Sequence, residues 1–331
     1  MKRKLILILL IACLAMVFSA CGSDDAGQPQ NTGDPDNIQI VATIFPEYDW
    51  VQNILGDNPA KAEVTLLLDS GVDLHSFQPT SEDMMKIATC DLFIYVGGES
   101  DRWVEDALSE SVNENVRSIN LLQILGDQAK EEEVIEGMEA EEESDEAGDE
   151  EGPELDEHVW LSLQNASLLC GAIEEAIAEI DPDNASVYEG NLKDYQAQLK
   201  ELDHQYKDVT DLAKVKTLLF ADRFPFRYLT DEYGLDYYAA FTGCSAESEA
   251  SFETIQFLAK KMDELGLSCV MTIENSDQKI AQTVIRTTKA KDQKILAMNS
   301  MQAVTAGDVQ AGASYLDIMG NNLTVLKEAL Q

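Results

Sequence analysis

The chain has 331 residues, 62 acidic against 23 basic side chains, and a formal net charge of −39. That charge excludes a nucleic-acid backbone as partner, because such a partner demands a basic face. Six cysteines occur without any C-x-x-C spacing, and Cys90, Cys170, Cys244 and Cys269 are expected to be small buried hydrophobes.

In chain order, Lys2, Arg3 and Lys4 precede an apolar run from Leu5 to Phe18, the layout of a secretory signal peptide. "FSAC" then sets small residues before Cys21, the pattern of a bacterial lipoprotein cleavage site, with Phe18 where Leu or Val is usual. The expectation is a signal peptide over 1–20 and a lipid anchor at Cys21. As a membrane span the run is short of the ~20 residues required. Residues 21–37 are rich in Gly, Pro, Asp and Asn and lack apolar periodicity, so they are expected to form a flexible tether.

From residue 38 to 183 short β-rich runs alternate with helical stretches. "IQIVATIF", "AEVTLLL", "DLFIYVG" and "VRSIN" have strand character, with helices expected near Glu47–Leu55, Ser81–Thr89 and Arg102–Leu108. Sixteen acidic residues and no basic one lie between Glu131 and Glu157, so residues 128–156 are expected to be a solvated, disordered insert. Over 184–213, Tyr188, Leu192, Tyr195, Leu199, Leu202, Tyr206, Val209 and Ala213 recur in steps of four and three. This is a helix buried along one seam, about 42 Å long for about 28 residues. A lone segment of this kind inside an α/β chain suits a stiff connector better than a dimeric coiled coil.

The second lobe, 214–331, repeats the rhythm. "TLLFA", "LDYYAAF", "SCVMTIE" and "KILAMN" are expected strands, and helices are expected near Phe226–Tyr233, Phe252–Leu265, Gln278–Lys289 and Ser314–Leu330. The fold class is therefore α/β: two lobes, each with a mostly parallel sheet flanked by helices, joined by one long helix.

Only three histidines occur. His75, in "DLHSFQPTSED", follows a strand and precedes a helix start at Thr80 or Ser81, where open α/β sheets bind ligands. His158, in "DEHVWLSLQNASLLC", stands between the acidic run and a helical pattern. His204 is one step off the seam of the long helix and belongs to the surface. Two of three histidines at such junctions point to a metal.

These stretches resemble a known family. "GVDLHSFQPTSEDMMKIATCDLFIYVGG" and "DEHVWLSLQNA" are similar to the two histidine segments of the zinc- or manganese-specific solute-binding lipoproteins of bacterial ABC importers. "IDPDNASVYEGNLKDYQAQLKELDHQY" is similar to that family's connecting helix, and "SYLDIMGNNLTVLKEAL" to its closing helix, so the resemblance covers Ile38 to Gln331. It implies one divalent metal ion in the cleft between lobes, held by His75 and His158. It also implies an ABC permease as partner, a monomer, and no enzymatic activity. The family's third ligand, His or Glu, falls at Arg223 in "ADRFPFRYL", and arginine has no lone pair to give. Arg223 must then turn to an acidic partner, for which Glu247 and Glu249 in "GCSAESEASFE" are the expectation. Glu274 and then Asp222 are the candidates to complete the shell, and Asn299 stands where the manganese branch carries Asp. Two imidazoles with carboxylates favour zinc narrowly over manganese. The competing readings are a metal chelate or anion held by Arg223, Arg227 and Tyr228, a surface adhesin, and, ranked lower, a metal-dependent hydrolase.

Overall fold

The computed structural model describes residues 37–139, 154–245 and 249–331; Cys21 and Glu247 lie outside them. Each of the eight expected strands forms. β1 (Gln39–Ala42), β2 (Glu63–Leu66), β3 (Leu92–Tyr95) and β4 (Arg117–Asn120) make one parallel sheet in the order β2-β1-β3-β4. β5 (Thr217–Phe224), β6 (Asp236–Thr242), β7 (Cys269–Ile273) and β8 (Lys294–Met298) make the second, β6-β5-β7-β8, also parallel. Leu92, Phe93 and Ile94 are wholly buried, and every residue of β7 is buried. Such unbroken apolar runs belong to strands covered on both faces, as parallel sheets require.

The covering helices are α1 (Phe45–Leu55), α2 (Ser81–Thr89), α3 (Trp103–Ser109), α4 (Leu121–Leu125) and α5 (Leu163–Ile180) around the first sheet. The long helix α6 (Ala185–Asp211) follows, then α7 (Arg227–Tyr233), α8 (Phe252–Leu265), α9 (Lys279–Thr287), α10 (Ala306–Gln310) and α11 (Tyr315–Ala329). α2 starts where expected because Thr80 and Asp83 cap each other reciprocally, satisfying two otherwise orphaned N–H groups.

α6 buries the expected seam: Tyr188, Tyr195, Leu199 and Tyr206 are almost fully enclosed. Its polar atoms tie it to both halves. Asn191 donates to the Ile54 carbonyl at 2.9 Å, while Tyr206 donates to the Met319 carbonyl at 2.7 Å and stacks on Tyr233. A second tie runs through α11, whose Tyr315 hydroxyl donates to the Trp160 carbonyl at 2.6 Å. Trp160 in turn donates its indole N–H to the Ser300 carbonyl at 2.8 Å. The two halves are therefore braced by buried hydrogen bonds as well as by the connector.

The acidic segment departs from expectation. Residues 128–139 and 154–156 are ordered, and only 140–153 lie outside the described residues. Glu131 and Leu155 form an antiparallel bridge, with Glu132 N–H donating to the Glu154 carbonyl and Asp156 N–H to that of Lys130. The chain then reaches the second sheet, where Glu139 N–H donates to Ala240 at 2.9 Å beside β6. Basic and aromatic partners fix this strap: Glu133 pairs with Arg227, Glu136 with Lys261, and Gly137 lies against the Phe257 ring. Gly137, at φ 84°, is in the left-handed region, and a Cβ there would overlap that ring.

Candidate metal centre

In the order β2-β1-β3-β4 the connections leaving β1 and β3 run in opposite directions, the kind of switch point beside which open α/β sheets bind ligands at the strands' carboxyl ends. His75 sits beyond the carboxyl end of β2 on a single 3₁₀ turn, Leu74–Ser76. Asp73 caps the turn by accepting from His75 N–H at 3.0 Å. His158 comes from the segment that precedes α5; it is wholly buried, and its ring lies 5.3 Å from that of Trp160.

The two rings meet edge to edge. His75 Nε2 and His158 Nε2 are 3.2 Å apart. Both Nδ1 atoms are already committed. His158 Nδ1 lies 3.0 Å from Asp156 Oδ1, and His75 Nδ1 lies 2.8 Å from Ser100 Oγ and 3.3 Å from Glu157 Oε2. A carboxylate only accepts, so a neutral His158 carries its proton on Nδ1 and turns its Nε2 lone pair inward, and His75, with Nδ1 between the Ser100 hydroxyl and the Glu157 carboxylate, can take the same tautomer. With both protons on Nδ1, two lone pairs face one another across 3.2 Å. That arrangement is repulsive until a cation lies between them, and carboxylate-backed imidazoles are how proteins orient metal ligands. Two nitrogens each ~2.05 Å from a tetrahedral zinc ion are about 3.3 Å apart. The spacing fits.

A third donor converges on the same point. One ligand atom from each of His75, His158 and Cys244 lies within 4.8 Å of the others, the only such group among the described residues. Cys244 stands just beyond the carboxyl end of β6, on a turn whose Gly243 is pressed against His158. Its backbone N–H donates to Glu132 of the acidic strap at 3.1 Å. Cys90, Cys170 and Cys269 are buried as expected, whereas Cys244 is only half-buried. The overlooked signal was its place after a strand's carboxyl end, the same kind of position as His75.

Arg223 turns away from the imidazoles, as its charge requires, but to a partner other than the expected ones. A register irregularity in β5 between Phe220 and Arg223 re-aims the side chain. One nitrogen pairs with Asp73 Oδ2 at 2.6 Å and the other donates to the Ser245 carbonyl at 3.2 Å. Glu249 is exposed. Arg223 thus ties the cap of the His75 turn to the residue after Cys244. The competing anion reading loses its basis here, since Arg223 is held by Asp73 and Arg227 by Glu133.

Glu274 and Asp222 are outside the three-donor group. Glu274 accepts from Ser300 N–H at 2.7 Å, Ser300 Oγ at 2.8 Å and Gln302 N–H at 3.3 Å, so it organises the turn after β8. Asp222 accepts from Arg223 N–H at 2.9 Å, and Asn299 Oδ1 accepts from Met301 N–H at 2.7 Å. Glu274 and Asp222 line an adjoining cavity of ≈ 410 Å³, bounded also by Asp73 and Arg223.

Charge around the donors is negative. Burial would push Glu157 up, but hydrogen bonding to His75, the charge of His75 when protonated, and two hydrogen bonds from Ser100 together hold the carboxyl below its usual range. Burial would depress His158, yet Asp156, Glu157 and Asp73 together raise it. Both effects mean that positive charge is welcome between these rings.

The family model of the zinc-uptake complex component A, periplasmic (ZnuA), matches residues 40–329. The chain is 30% identical over 326 residues to the high-affinity zinc uptake system protein ZnuA of Bacillus subtilis, covering 98% of this chain and 97% of that one. It is 29% identical to the zinc-binding lipoprotein AdcA of Streptococcus pneumoniae, of whose length it spans 61%. Among solved structures, the Zn(II)-bound ZnuA-like domain of S. pneumoniae AdcA superposes with a TM-score of 0.68 at 26% identity, over 89% of this chain and 99% of that domain. The metal-dependent lipoprotein YcdH of B. subtilis gives 0.70 at 27% identity, over 89% and 99%.

Proposed function

This chain belongs to the ZnuA family of zinc-uptake complex components, and from that premise we propose that it captures a zinc ion outside the cytoplasm and hands it to the permease of an ABC importer. The observation that carries the reading is the pair of Nε2 atoms 3.2 Å apart, each ring backed by a carboxylate. Asp156 and Glu157 orient the imidazoles and set their tautomers, and His75 and His158 supply the nitrogen ligands. Zinc outranks manganese for such a donor set on the general affinity order of divalent ions. The chain acts as a monomer, tethered to the membrane by a lipid on Cys21. No helix of the described residues is long and apolar enough to cross a membrane. A transport component of this kind performs no chemistry on its cargo.

Metal analysis of untagged protein, followed by zinc calorimetry on His75→Ala and His158→Ala, tests the reading. Each variant is expected to lose at least about 100-fold in affinity, since even an outer support of a ligand costs 10- to 100-fold. Wild-type affinity in both variants would remove the basis for the proposal.

A further inference from the structure

We propose that the Cys244 thiolate is the third ligand of the captured ion, so that the centre is a His₂Cys site. The inference rests on the reading of this centre as a zinc site, and concerns which side chain replaces the nitrogen or carboxylate donor that Arg223 displaces.

Three independent observations converge. A Cys244 ligand atom lies within 4.8 Å of both histidine donors. In a tetrahedral centre with a Zn–S bond of ~2.3 Å and a Zn–N bond of ~2.05 Å, sulfur and nitrogen stand about 3.5 Å apart, so a small approach of the turn suffices. Second, the turn is constructed for close contact. A Cβ on Gly243 would come within 2.9 Å of His158 Cε1 and 2.9 Å of the Phe224 carbonyl, so a glycine is what lets Cys244 reach the ring. Third, the turn is held from both sides: Glu132 accepts from Cys244 N–H at 3.1 Å, and Arg223 donates to the Ser245 carbonyl at 3.2 Å. The arginine at the usual ligand position therefore supports the turn that carries its replacement.

The step balances simply. As zinc enters, the Cys244 S–H bond breaks, a Zn–S bond forms, and one proton leaves to solvent. A thiolate also biases the site toward soft and borderline ions over manganese.

Cobalt(II) titration of the full chain separates the outcomes, because thiolate-bound cobalt shows an intense near-ultraviolet charge-transfer band that imidazole and carboxylate do not. Wild type is expected to show that band. Cys244→Ser is expected to lose it, keep weak visible d–d bands, and bind zinc on the order of 100-fold more weakly. X-ray absorption of zinc-loaded wild type, which depends on no variant, is expected to show one sulfur at about 2.3 Å. A wild type that binds zinc through His75 and His158 with nitrogen and oxygen scatterers only would overturn the Cys244 assignment and leave the transport reading standing. A wild type that binds neither metal would overturn both.

Discussion

Where the resembled motif carries its third ligand, Arg223 instead joins Asp73 to the Ser245 carbonyl. Burial alone would raise the Asp73 carboxyl, yet the Arg223 charge and hydrogen bond hold it below its usual value. The pair is partly enclosed, so it is better counted as a fastener between two loops than as a large stability term. Gly243 is the sharper test of that geometry, because a methyl there meets a backbone carbonyl and a ring, neither of which can step aside. Gly243→Ala is expected to weaken zinc binding on the order of 10- to 100-fold, with the circular dichroism of the fold retained. Calorimetry showing wild-type affinity would mean that the turn does not need this approach. His75 and His158 stand out in the sequence as candidates because they are rare and sit at strand and helix junctions, and the fold brings their rings together. Cys244 does not, since a cysteine beside apolar residues is usually inert, and only the fold shows what it faces. The Arg223 partner was equally hidden, lying 150 positions away at Asp73.

Among elements, the central strands β1, β3, β5 and β7 were legible as dense, mostly buried apolar runs, whereas the edge strands β2, β4 and β8 are largely half-exposed and showed through shorter β-rich runs. The short helices α4 and α10 were not foreseen; five residues hold little more than one turn and carry no usable period. The acidic strap was misjudged for another reason. Its composition favours solvation, but its order is imposed by the neighbours it meets at β6, Arg227 and Lys261. Glu47, at the start of α1, shows a related tension. It accepts from Thr43 N–H at 2.8 Å and Ile44 N–H at 3.2 Å, while its other oxygen is buried without a partner. Burial, and then the nearby Asp101, push its pKa up from 4.5 to about 8, against the pull of those hydrogen bonds. The folded protein thus keeps a proton that the unfolded chain gives up, so stability falls as pH rises between about 4.5 and 8 and levels off above. Glu47→Gln, which mimics the protonated form, is expected to gain on wild type across that window by a few kcal/mol. Thermal melts in which the two proteins run parallel from acid to alkaline pH would contradict this.

For the whole molecule, the two sheets are joined by α6, by the return of α11 to Trp160, and by the acidic strap. These ties cross between halves at several depths, so the donors from β2, from the segment before α5 and from the end of β6 are held close together without relying on any one loop. That is how residues 75, 158 and 244, far apart in the chain, can share a single ion. The general architecture followed from the alternation of strand and helix in the sequence, whereas the meeting of these three loops depends on contacts between residues 83 to 169 positions apart. Anomalous diffraction at the zinc edge on crystals of the loaded protein addresses this directly. One peak is predicted, about 2.0–2.1 Å from the Nε2 atoms of both His75 and His158. A sole peak in the neighbouring cavity beside Glu274 and Asp222, with the two imidazoles uncoordinated, would contradict the account.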